Sequence, residues 1–147
     1  MRIADVCTRK VYSVSSAEPL LEAGHEMHRR HIGAVVVVEE HEGVMRPVGI
    51  VTDRDIVCGQ VSRHTDLNCL TVADVMTPHP MTVQESSGIA EAIKFLSMRA
   101  VRRAPVINHA GALVGIVSMD DLLPILANEL GALASLIGTQ ARHEPSV

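Results

Sequence analysis

The chain has 147 residues, 47% of them apolar, enough for one compact unit or two very small ones around a buried core. A net charge of −4 and an aromatic content of 1% (Tyr12 and Phe95) argue against nucleic acid, whose recognition uses basic patches and stacking platforms. No apolar run is expected to reach the ~18 residues of a membrane span and no signal peptide opens the chain, so a cytoplasmic protein without membrane contact is expected. Cys7, Cys58 and Cys69 are odd in number and scattered, which indicates no disulfide framework.

In chain order, a turn-like segment from Ile3 to Thr8 leads into a short strand at Tyr12-Ser13-Val14. Pro19 suits the first turn of a helix that carries Leu20, Ala23 and Met27 on one stripe. A buried strand from Ala34 to Val38 follows, then a hairpin with Gly43 in its turn. The returning strand, Val48-Gly49-Ile50-Val51, ends at Thr52, and a helix begins with Asp53-Arg54-Asp55. The order is strand–helix–strand–strand–helix.

The same order then repeats. Val72-Ala73-Asp74-Val75-Met76-Thr77 matches Ile3 to Thr8, Val83 matches Val14, Glu91-Ala92 matches Glu22-Ala23, Arg99 matches Arg30, and Val106 matches Val37. Pro78 and Pro80 mark the turn before the Met81-Thr82-Val83 strand, and Ser87 is the expected N-cap of a helix with Ile89, Ala92, Ile93 and Leu96 on its stripe. Pro105 to Ile107 forms the buried strand and Gly111 the hairpin turn. Three inserted residues between Glu42 and Arg46 shift the register before Gly49-Ile50-Val51 meets Gly115-Ile116-Val117. The two copies occupy 1–63 and 71–127, with a linker at 64–70.

The tail from Leu122 to Ile137 places Leu126, Leu130, Leu133 and Ile137 at helical spacing, with Pro124 inside its first turn, and the part beyond the second copy is a helical extension at 128–140. This stripe either covers the monomer's own core or forms a dimer contact. Residues 141–147 are expected to be a disordered tail.

The junction after the Gly-Ile-Val strand carries the chemistry. Thr52 and Asp55 share one face of a first helical turn, where free backbone N–H groups and the positive helix end also point. A hydroxyl, amide donors and a carboxylate together suit a phosphorylated sugar, the carboxylate accepting from ribose hydroxyls and the helix start taking the phosphate. The plainer alternative is that Asp53 and Asp55 only complement the helix dipole. Ser118 and Asp121 repeat the arrangement at the end of the second copy.

Two such Gly-Ile-Val-(Thr/Ser)-x-x-Asp endings in register, each after the same helix and hairpin, resemble a CBS-domain pair over almost all of residues 1 to 137. That resemblance implies an α+β fold of two β-α-β-β-α repeats packed by pseudo-twofold symmetry through their sheets (a Bateman module), with two clefts between them. It implies a sensor that binds AMP, ADP, ATP, NAD or S-adenosylmethionine and does not catalyse, requires no cofactor, takes the adenine nucleotide as a regulatory ligand, pairs as a homodimer and acts on a protein target.

Carried onto this sequence, the resemblance assigns Asp55 to the ribose and Thr52 to phosphate, within Thr52-Asp53-Arg54-Asp55. Backbone near Ser13-Val14 and Val36-Val37 would read the adenine edge, with Ile32, Val36 and Ile50 as apolar walls. Arg102 and Arg103, from the other copy, would reach the phosphates with a fixed fork of donors; their plainer alternative is a solvated surface pair. The second cleft would comprise Ser118, Asp121, Thr82, Val83, Pro105 and Ala34. The positions matching Arg102 and Arg103 are the uncharged Gly33 and Ala34, and Asp120 stands where Arg54 does. Unequal sites are therefore expected, the Thr52/Asp55 cleft being preferred for a phosphorylated ligand.

Alternatives remain in a metal-responsive protein and in a purely dimerising scaffold with vestigial clefts. His25, His28 and His31 are spaced by three and Cys58, His64 and Cys69 lie close, but no Cys-x-x-Cys pair exists and no metal ligands are assigned. No nucleophile elbow, phosphate-binding Walker loop or His-Glu-x-x-His motif supports an enzyme.

Overall fold

A computed structural model of the protein describes residues 1–143. The first copy contains α1 (Ile3–Val6), β1 (Ser13–Val14), α2 (Leu20–Arg30), β2 (Ala34–His41), β3 (Val44–Thr52) and α3 (Asp53–Arg63). A single 3₁₀ turn at Leu67–Cys69 leads to the second: α4 (Val72–Val75), β4 (Thr77–Pro78), β5 (Val83–Gln84), α5 (Ile89–Arg99), β6 (Arg103–Ile107), β7 (Leu113–Ser118) and α6 (Met119–His143).

Local sequence explains these elements. β1 runs parallel to β2 through the α2 crossover, and β2 returns antiparallel as β3 through a turn in which Glu42 (φ 52°) and Gly43 (φ 77°) are both left-handed. Positive φ at both central residues is what a two-residue turn between twisted strands needs. The inserted residues of the first copy lengthen this hairpin. Leu20, Ala23 and Met27 are the buried stripe of α2, and Ala92 and Leu96 that of α5. The N-cap of α5 is Gly88, not the expected Ser87, whose carbonyl instead accepts from Ile3 N–H at 2.9 Å.

That hydrogen bond belongs to an exchange the sequence reading missed. Ile3, 0% exposed, sits in the second copy's core with Val83, Ala92, Leu96, Val106 and Val117. Leu70 and Val72 sit in the first copy's core with Val14, Leu20, Val35 and Val51. Backbone bonds fix the swap: Ala4 N–H to the Glu85 carbonyl, Leu20 N–H to Leu70 and Val72 N–H to Glu18, each 2.9 Å. Each copy's leading strand follows its helix across. β4 pairs with β3 (Thr77 with Ile50), and Thr8 bridges Ile116 in the opposite sheet. The first sheet thus has the order β1-β2-β3-β4 and the second β5-β6-β7. Each of the two copies, 1–63 and 71–127, thus lends its first segment to the core and sheet of the other.

α6 also departs from expectation. It is one unbroken helix from Met119, so the extension is continuous with the helix closing the second copy, and residues 141–143 are helical. Positions 144–147 of the expected disordered tail lie outside the described residues. Pro124 falls in the second turn, where it removes the bond to the Asp120 carbonyl; both residues are exposed, so water can take that carbonyl's place. By length and composition, Met119–Arg142 is long and apolar enough to cross a membrane (mean hydropathy 1.5), which corrects the expectation that no apolar run reaches that length.

Candidate functional site

The two clefts lie where the β3–α3 and β7–α6 junctions face the opposite copy. At the first, Thr52 caps α3: Asp55 N–H donates to Thr52 Oγ1 at 3.2 Å, and Thr52 N–H donates to Asp55 Oδ2 at 2.8 Å. This reciprocal pair satisfies two backbone donors at the helix start. It leaves the Thr52 hydroxyl hydrogen and Asp55 Oδ1 available to a ligand.

At the second junction the same letters are wired differently. The Ser118 N–H and its hydroxyl both donate to Asp121 Oδ2, at 2.7 and 2.8 Å, so this hydroxyl proton is already used. Capping of this type recurs away from both clefts. Thr71 N–H and its hydroxyl donate to Asp74 Oδ2 at 2.8 and 3.1 Å, and Arg2 N–H donates to Asp5 Oδ2 at 2.8 Å. Those bonds from Thr71 hold the Asp74 carboxyl below its ordinary range. A hydroxyl and a carboxylate three apart are therefore first a helix start in this chain. Function has to be read from what surrounds them.

Around Thr52 and Asp55 lies an open cavity of about 690 Å³, lined also by Ile50, Thr77, His79, Pro80, Met81, Arg99, Val101, Arg102 and Arg103. Arg102 and Arg103 do come from the other copy to this cleft. Arg99, at the last turn of α5, joins them unforeseen. Among the described residues none of these three guanidinium groups stands in an ion pair; the recorded pairs use Arg9, Arg29 and Arg30. Three arginines thus face a cavity with one carboxylate.

Several expected members lie elsewhere. Ile32 and Val36 line the second cavity, Ser13 pairs with Val36 inside the first sheet, and Val14 is buried in the core. Asp53 and Arg54 are exposed and outside the cavity; the Asp53 carboxylate accepts from Arg54 N–H at 2.8 Å. The reason is the crossing of the copies. A cleft combines the β3 end of one copy with the equivalents of β1 and α2 from the other, so Val101 stands where Ile32 is expected, and Met81 joins it. The crossing already assumed for Arg102 and Arg103, applied to every element, would have found them.

The second cavity, about 550 Å³, is lined by Ser118, Asp121 and Ala34 as expected, with Thr8, Lys10, Val11, Tyr12, Arg30, Ile32, Gly33, Val36, Ile116 and Arg103. Thr82 lines a neighbouring cavity instead, and Val83 and Pro105 are buried in strands. This cleft is not the cation-poor site that Gly33 and Ala34 suggested, since Lys10, Arg30 and Arg103 reach it. Arg103 does so because β6 places it opposite Ser118. Asp120 is exposed and does not line the cavity. Arg30 is partly committed: it pairs with Glu26 Oε2 at 2.9 Å and stacks 4.5 Å above the Tyr12 ring. Burial, with Glu18 and Glu26 nearby, raises the Tyr12 phenol, which stays protonated.

His25, His28 and His31 are exposed on or just after α2, and Cys58 and Cys69 are exposed thiols. Among the described residues no three His, Cys, Asp or Glu side chains gather as metal ligands.

Two mixed sheets related by an internal repeat, with a polar cleft at each helix junction, define a tandem α+β repeat with two clefts between its halves. The family described as the CBS domain matches residues 3–59 and again 72–128, and the chain belongs to that family. An uncharacterized protein of Methanopyrus kandleri is 33% identical over 123 residues, 84% of this chain and 61% of its own; the chain thus spans less than two thirds of that relative. The CBS domain protein PAE2072 from Pyrobaculum aerophilum, complexed with AMP, superimposes with a TM-score of 0.74 at 25% identity, over 87% of this chain and 99% of that one. Hypoxic Response Protein I, with two coordinated zinc ions, gives 0.72 at 28%, over 84% and 98%.

Proposed function

We propose that the chain is a non-catalytic sensor that binds an adenosine-containing ligand (AMP, ADP, ATP, NAD or S-adenosylmethionine) between its two CBS domains, with a phosphorylated ligand preferred in the Thr52/Asp55 cleft. One observation carries this: Thr52 and Asp55 from one half and Arg99, Arg102 and Arg103 from the other line a single open cavity of about 690 Å³. The AMP-bound Pyrobaculum neighbour supports the same ligand class.

The roles follow from the donors present. Asp55 Oδ1 accepts from ribose hydroxyls while Oδ2 holds the helix cap. The Thr52 hydroxyl and the arginine forks donate to phosphate oxygens. Ile50, Met81 and Val101 supply aliphatic walls for the base. In the second cleft Ser118 has spent its hydroxyl proton and Arg30 is paired with Glu26, which favours a less charged nucleoside there. A ligand bridging the halves biases the protein by its affinity difference between two arrangements, and a protein target reads that difference. Pairing as a homodimer and a cytoplasmic location complete the reading.

The test is a thermal-shift panel of the five ligands on wild type and Asp55→Ala. Loss of the cap costs the variant about 1 kcal/mol of stability and so lowers its own melting point, and the ligand-induced increment is the quantity compared. The increment should vanish in Asp55→Ala. An increment that survives places the ligand elsewhere, and none with any ligand leaves a dimerising scaffold with vestigial clefts.

A further inference from the structure

The second half of α6 has no cover in the monomer. Residues 127–142 are exposed throughout, whereas Leu122, a turn earlier, is buried in the second core. Leu123, Leu126, Leu130, Leu133 and Ile137 fall at alternating steps of three and four, a heptad seam. Leu130, Leu133 and Ile137 are 67, 59 and 68% exposed, so the stripe does not close this monomer's own core. The opposite face is polar, with Asn128, Ser135, Thr139 and Arg142; the last two donate to the carbonyls of Ser135 and Gly138 on their own helix.

We propose that α6 pairs with the α6 of a second copy along the Leu123–Leu126–Leu130–Leu133–Ile137 seam. This gives the homodimer an element, and it stands independently of ligand binding.

Three considerations select a second copy as the occupant. The exposed Leu123, Leu130, Leu133, Leu136 and Ile137 offer roughly 500 Å² per chain, about 1,000 Å² for a symmetric pair, which reaches the size of a specific interface. Ala127, Ala134 and Ala141 flank the seam at its e positions, so on that side close approach meets no bulk and no charge; the g side carries the apolar Leu136 and a single charge, Glu129. An isolated segment of this length is marginal as a helix in water, and pairing supplies the missing stabilisation. A membrane fits less well. The first turns of α6 are held against the domain, and the remaining 127–143 reach only about 25 Å, short of a ~30 Å hydrocarbon core, with Glu129 inside.

Sedimentation equilibrium on the full chain at tens of micromolar decides it, with far-UV circular dichroism on every variant. Wild type should exceed the 15.8 kDa of one chain at least twofold. Leu130→Lys/Leu133→Lys should fall to a smaller mass and lose helicity, while Asn128→Lys/Ser135→Lys, on the polar face, keeps the wild-type mass. A single-chain mass for wild type, or an unchanged mass in the seam variant, overturns the proposal. So does flotation of wild type with phosphatidylglycerol vesicles that the seam variant loses. The AMP-induced thermal increment should persist in the seam variant, which separates this outcome from that of the cleft.

Discussion

Arg103→Met tests how much of the binding comes from the half that does not carry Asp55. A hydrogen bond to a charged partner contributes ~1.5–3 kcal/mol when desolvated. Arg103 is half-buried in an open cavity, so solvent screening reduces this to about 1–2 kcal/mol, a five- to thirty-fold weakening of AMP. Isothermal titration at low salt reads it directly. Arg54→Met is the matched control, because Arg54 is exposed and outside the cavity; its loss should stay under about twofold. The gap between wild type and Arg103→Met should narrow at high salt, as screening weakens the phosphate contact. Equal affinities for wild type and Arg103→Met, or an equal loss in Arg54→Met, would refute the assignment.

Further outcomes follow from the packing. Ile3→Ala should cost about 2–4 kcal/mol in urea denaturation despite its place at the chain's start, because Ile3 fills the second core; a neutral effect would deny the segment exchange. Ala100→Gly should raise the melting temperature by roughly 2 °C, since Ala100 closes α5 at φ 52°, where an L side chain is strained; a fall would count against this. Asp74 has its carboxyl lowered from 3.8 by the Thr71 bonds, so its contribution is full above that value and lost as pH falls through the lower folded one. Urea midpoints from pH 6 to 3 should therefore drop more steeply in wild type than in Asp74→Asn, and parallel curves would reject the linkage. Burial raises the Cys7 thiol, so iodoacetamide at pH 8 should modify exposed Cys58 and Cys69 before Cys7; the reverse order would contradict this.

Much of the fold was legible because strong local patterns repeat. The Val35 to Val38 run, the Leu20/Ala23/Met27 stripe and the Gly-Ile-Val returns each state their element twice. The exchange of α1 and α4 was not legible, since Ile3 and Val72 look alike and no local pattern says which core an amphipathic turn will enter. That omission displaced half the site. Ile32 and Val36 were assigned to the Thr52 cleft, whereas the pseudo-twofold packing sends them to the Ser118 cleft and brings Met81, Val101 and Arg99 instead. Hydroxyl wiring was also beyond the sequence. Thr52 and Ser118 are equivalent letters, but one accepts from the backbone and the other donates to its aspartate.

The most direct test is an AMP titration of the labelled protein followed by backbone amide spectra. A pocket built by both halves predicts saturable shifts at Thr52 to Asp55 together with Val101 to Arg103, at one concentration dependence. Shifts confined to one half, or centred on other surfaces while these amides stay still, would contradict it.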